Sequence, residues 1–105
     1  MKAFTTLVVL AAAVVGHCHG WSLNAWASTN YAGRQFSTST SGTHLLGFTA
    51  KSYKWSSIRG DGCCIKFCNG SNEVGNWCQS KSNSNVASPG FNKVVVGCGS
   101  TVLNC

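Results

Sequence analysis

Six of the seven cysteines, Cys63, Cys64, Cys68, Cys78, Cys98 and Cys105, crowd into the second half of a 105-residue chain, and only Cys18 precedes them. What such a cluster means depends on the compartment, because thiols stay reduced in the cytosol and pair in exported proteins. The N-terminus carries an export pattern. Lys2 supplies the positive start, and Ala3 to Val15 form an apolar run too short to span a bilayer. Cys18 and Gly20 are small residues at the two recognition positions of a cleavage site. The pattern assigns residues 1–20 to a signal peptide and 21–105 to one secreted domain; cleavage after Gly16 or Cys18 fits the same pattern. Loss of Cys18 leaves an even set, so three disulfides are expected. The spacing selects no connectivity, except that a Cys63–Cys64 bond would close a strained vicinal ring.

Residues 21–105 are short enough to bury only roughly 60–65% of their unfolded surface, which leaves the core marginal without cross-links. Helical periodicity is absent. Short apolar runs alternate with Gly, Ser, Asn and Thr, which predicts strands near 22–28, 34–38, 45–49, 54–58, 63–68, 76–80, 91–97 and 101–104. Asn30-Tyr31-Ala32-Gly33, Gly60-Asp61-Gly62, Asn69-Gly70 and Ser88-Pro89-Gly90 supply turn chemistry between them. Residues 80–88 read as the most loop-like segment. The fold class expected is all-β, a disulfide-stabilised sandwich.

An internal echo refines this. Trp26 precedes Gly33 by the same interval as Cys68 precedes Gly75, and each unit returns to a strand, Lys54–Ile58 or Phe91–Val96. Two units of about 42 residues each match the size of four-strand Greek-key motifs packed as one domain. The stretch Trp26-Ala27-Ser28-Thr29-Asn30-Tyr31-Ala32-Gly33-Arg34 resembles the folded hairpin of the βγ-crystallins, in which an aromatic residue packs over a glycine that needs φ > 0. In that resemblance Ser57 is the serine that ties down the hairpin, and Ile58 is the inward apolar residue after it. The second unit is looser: Cys68 or Phe67 stands in the aromatic position, Gly75 in the glycine position and Val94 where the serine would be. The family's calcium pattern is degraded, with Ser52 and Tyr53 before Ser56-Ser57 and the cation Lys93 after Asn92. Calcium needs several oxygens, ideally charged. No metal and no cofactor are expected.

Catalysis finds little support. Beyond the signal there is one histidine, His44, one aspartate, Asp61, and one glutamate, Glu73, too few for a positioned acid–base set. Asp61 reads as turn chemistry and His44 as a half-buried histidine. A zinc site from the cysteines is outweighed by export. Arg59-Gly60-Asp61 spells an adhesion tripeptide on a predicted turn. Asn69-Gly70-Ser71 is an N-glycosylation sequon.

The formal net charge is +6 and falls by one unit if Lys2 leaves with the signal. Such a field favours anionic partners. Arg34, Lys51, Lys54, Arg59, Lys66 and Lys81 are therefore candidate contacts with an anionic cell surface, a membrane or cell-wall polysaccharide. They are scattered, and neither nucleic acid nor an oligomer is expected. Of the four tryptophans, Trp26 and Trp55 are expected in the core, and Trp21 and Trp77 partly exposed. The reading expected is a secreted, cationic, non-enzymatic protein of toxin, antimicrobial or effector type; some small secreted proteins of the family it resembles are killer toxins. The alternatives are an extracellular carbohydrate- or protein-binding module, and a structural or stress-related protein.

Overall fold

The computed structural model describes residues 20–58 and 60–105. Residues 1–19, on which most of the expected signal peptide 1–20 falls, and Arg59, the first residue of the adhesion tripeptide, lie outside the described residues. Eight strands follow in order: β1 (Ser22–Ser28), β2 (Ala32–Thr38), β3 (Gly42–Ala50), β4 (Ser52–Ser56), β5 (Cys63–Asn69), β6 (Asn72–Trp77), β7 (Lys81–Asn83) and β8 (Phe91–Cys98). They form two antiparallel four-stranded sheets, in the orders β2-β1-β4-β7 and β3-β8-β5-β6. Each half of the chain gives three strands to one sheet and its third strand to the other. That order is compatible with two Greek-key units.

Alternation explains why the sheets pack. Leu23 and Ala25 of β1, Tyr53 and Trp55 of β4, Ile65 and Phe67 of β5, and Val94 and Val96 of β8 are buried in a shared core. Their neighbours Asn24, Lys54 and Lys66 point the other way, as a two-residue period requires. The sheets meet through rings: Tyr53 lies 4.4 Å from Phe67 and 5.7 Å from Phe91.

All three disulfides fall on the second sheet. Cys63–Cys98 joins β5 to β8 at a directly paired position. Cys64–Cys78 joins β5 to the residue after β6. Cys68–Cys105 pins the C-terminal segment. Cys63 is buried and Cys64 half-buried, so the adjacent pair is split between the two faces of β5.

Three expectations are corrected. Residues 101–104 form no strand; segment 99–105 lies over the outer face of β5 and β8, where Lys66 Nζ donates to the Leu103 carbonyl (2.8 Å). Glycine at 97 makes room for it: a Cβ there would lie 2.7 Å from Leu103 Cδ2. The segment's Thr-Val-Leu composition suits a strand, but the disulfide at Cys105 holds it across the sheet instead of at an edge. Conversely, β7 sits inside the predicted loop 80–88. It has no apolar residue to announce it and exists through its ladder to β4. Among the tryptophans, Trp21 is 3% exposed and packs on Trp55 at 5.3 Å, whereas Trp26 is half-buried on the outer face.

The hairpin between β1 and β2 carries a fourth correction. Asn30 and Tyr31 both have positive φ, and Gly33 has φ 87°. A Cβ on Gly33 would lie 2.9 Å from Ser28 Oγ. The residue that ties this hairpin down is Ser52, not Ser57. Fully buried, Ser52 Oγ donates to the Ser28 carbonyl (2.7 Å) and accepts from Tyr31 N–H (3.0 Å). Ser57 lies beyond β4, where its N–H donates to Ser80 Oγ (2.8 Å). In the second unit Asn92 plays the corresponding part, its Oδ1 accepting from Gly70 N–H (3.0 Å). Val94 is core, and Phe67 is the aromatic that covers Gly75, where a Cβ would lie 3.2 Å from its ring. Ser52→Ala removes both of these part-buried hydrogen bonds and should destabilise the protein by about 1–3 kcal/mol. Thermal or denaturant unfolding measures it, with Ser57→Ala close to neutral as the comparison.

Candidate functional site: cations on an aromatic frame

The basic residues divide into engaged and free groups. Lys66 is held by Glu73 (3.1 Å) and by the Leu103 carbonyl. Lys93 donates to the Cys105 main-chain oxygen. Glu73 is thereby neutralised. The other carboxylate, Asp61, closes its own turn: Oδ1 accepts from Cys63 N–H (2.9 Å) and from Ser57 Oγ (3.4 Å), the Asx geometry expected of a Gly-flanked aspartate.

Among the described residues Arg34, Lys51, Lys54 and Lys81 form no ion pair. Arg34 on β2 lies over Phe48 (5.3 Å) and donates weakly to the Gly47 carbonyl (3.4 Å). Lys51 is half-buried between β3 and β4. Lys54 is exposed on the outer face of β4, with its ammonium 4.4 Å from the Tyr31 ring and 6.0 Å from Trp26. Trp26 and Tyr31 meet edge to face at 5.3 Å. The two positive-φ hairpin residues thus deliver an aromatic ring beneath a lysine. Beside it, Asn24, Gln35 and Ser37 form a hydrogen-bonded polar cluster, with Gln35 Nε2 donating to Asn24 Oδ1 (3.2 Å).

Lys81 forms a second lysine–ring pair. Its ammonium lies 4.7 Å from the Trp77 ring, and Trp77 is 37% exposed. Both line a cleft of about 470 Å³ between β6, β7 and the loop at Pro89. Val74, Val86 and Pro89 wall it; Tyr53, Phe67 and Phe91 close its floor. Burial pushes the Tyr53 phenol above its ordinary range, opposed by its hydrogen bond with the Trp77 side chain. A second opening of about 420 Å³ lies by Leu45, Phe48 and Lys93.

Asn69 ends β5, half-buried, with Nδ2 3.5 Å from the Gly90 carbonyl. His44 is half-buried on β3, its Nε2 2.7 Å from the Thr40 carbonyl oxygen. Among the described residues no group of three or more His, Cys, Asp or Glu is gathered closely enough to hold a metal.

The structure therefore brings three of the predicted cations, Arg34, Lys54 and Lys81, onto aromatic rings, engages Lys66, and leaves Lys51 half-buried between β3 and β4. Lys81 with Trp77 as a cleft was not legible, because Val74, Asn83 and Pro89 reach it from three separate segments. The signal that pointed towards it was the expected exposure of Trp77. No protein-family model matches the chain, and no curated protein or solved structure matches it.

Proposed function

We propose that this is a secreted, cationic, non-enzymatic protein of toxin or antimicrobial type that attaches to anionic cell surfaces. One observation carries the reading: both acidic side chains among the described residues are engaged internally, while Lys54 and Lys81 stand exposed with no acidic partner. Uncompensated cations beside amphipathic rings suit attachment to an anionic interface. Three disulfides in so small a domain are typical of extracellular proteins and support export of residues 21–105. The strand order supports a βγ-crystallin-like ancestry for the domain. A binding role towards cell-wall carbohydrate is the second reading, favoured by the cleft at Trp77.

The test is growth inhibition and dye uptake by intact yeast, bacterial and plant cells exposed to the oxidised protein. Killing should fall as salt rises, because the screening length shrinks from about 10 Å at 0.1 M to about 3 Å at 1 M. Absence of any effect on all three cell types at micromolar dose would remove the toxin reading.

A further inference from the structure

The cleft at Trp77 differs from a merely charged surface in being concave and pre-ordered. Trp77 is set in the β5–β6 ladder opposite Ile65 and covered on one side by Lys81. It nevertheless keeps 37% of its surface open. A ring already held in place loses little entropy on binding. The cleft volume, about 470 Å³, falls in the range of small-ligand sites, which combine apolar walls with a few placed polar groups. Asn83 and Ser88 are those polar groups here, and Lys81 is the charge.

The occupant follows from this chemistry. Neither Asp61 nor Glu73 lines the cleft, so its charge is complemented only by an anion. The floor is sealed by the packed rings of Tyr53, Phe67 and Phe91, with Phe67 and Phe91 at 4.6 Å, so an acyl chain finds no channel into the core. A hydroxyl-bearing pyranose ring with one carboxylate fits: its C–H face against the Trp77 indole, its carboxylate on Lys81 and its hydroxyls on Asn83 and Ser88. We propose that this cleft binds a uronate residue of an acidic polysaccharide. The proposal rests on the surface-attachment reading above and names the partner for one part of that surface.

Titration of the oxidised protein with oligogalacturonate, followed by tryptophan fluorescence, tests it. Binding should be saturable, abolished by Trp77→Ala and weakened about tenfold by Lys81→Gln, the scale of one lost charge-assisted hydrogen bond. The methyl-esterified oligosaccharide should lose a similar factor against the wild type, and Lys54→Gln should lose clearly less affinity for oligogalacturonate than Lys81→Gln does. Circular dichroism of each variant confirms that it is folded. The proposal is overturned by equal binding of the esterified and free acids, by equal losses in Lys54→Gln and Lys81→Gln, or by no binding at all. Capture by phosphatidylglycerol vesicles that depends on Trp77, with no oligogalacturonate binding, would also overturn it and assign the cleft to lipid. Failure here with cell attachment intact would leave the broader reading standing; loss of both would end it.

Discussion

Replacing Cys63 and Cys98 together by alanine should cost about 4 kcal/mol of stability, from the loop-closure entropy of a cross-link spanning a sequence separation of 35. A domain of this length has a net stability of only roughly 4–13 kcal/mol, so the loss approaches the whole in the unfavourable case. Alanine is the fair replacement, because Cys63 is 1% exposed and serine would add a buried hydroxyl needing a partner. The bond ties β5 to β8, the two central strands of their sheet. Removing Cys64–Cys78 instead should cost less, about 3 kcal/mol, because its separation is only 14. Guanidinium unfolding of both double variants measures the order. Equal stability of the wild type and the Cys63/Cys98 variant would contradict it.

Phe67→Ala should cost about 3–5 kcal/mol. Phe67 is 2% exposed and touches rings from both sheets, Tyr53 of the first at 4.4 Å and Phe91 of its own at 4.6 Å. It also covers Gly75, whose missing side chain lets the ring lie close to β6. Truncation therefore opens a void between sheets that share no disulfide among the described residues, and the packed backbone of β5 and β8 relaxes little to fill it. Val74→Ala removes a side chain 42% exposed one position away in the cleft wall. It should change stability by less than about 0.5 kcal/mol. Thermal unfolding of the pair gives the contrast. A small loss at Phe67 would mean that the sheets are not joined through its ring.

The chain shows plainly why it folds as β and less plainly which residue holds which turn. Strand positions in β1, β5 and β8 followed from alternation, since Leu23, Ile65 and Val96 lie inward. β7 escaped notice because Lys81, Ser82 and Asn83 carry no hydrophobic period; its existence is a matter of backbone partners supplied by β4. The C-terminal segment misled for the opposite reason, having strand-like residues but a covalent tie at Cys105 that lays it across the sheet. Ser52 and Ser57 are a few residues apart in one serine-bearing strand region, and local sequence does not tell which reaches back to Ser28. The candidate site was half legible. Its cations could be counted, but pairing Lys66 with Glu73 and seating Lys81 on Trp77 depend on strand register. Trp21 and Trp26 exchanged places for the same reason: Trp21 enters the core ahead of β1, while Trp26 falls on the outward phase of that strand.

The central claim is that the fold leaves specific cations unpaired to hold the protein on anionic surfaces. Its most direct test is a sedimentation assay. The oxidised wild type and a Lys54→Gln/Lys81→Gln variant are incubated with intact cells, and the protein left in solution is measured across a range of salt concentrations. The wild type should sediment with cells at low salt and be released as salt rises. The variant should be released at clearly lower salt than the wild type, with Arg34 and Lys51 as the remaining cations that form no ion pair among the described residues. Equal sedimentation of the two proteins, or attachment indifferent to salt, would contradict the claim.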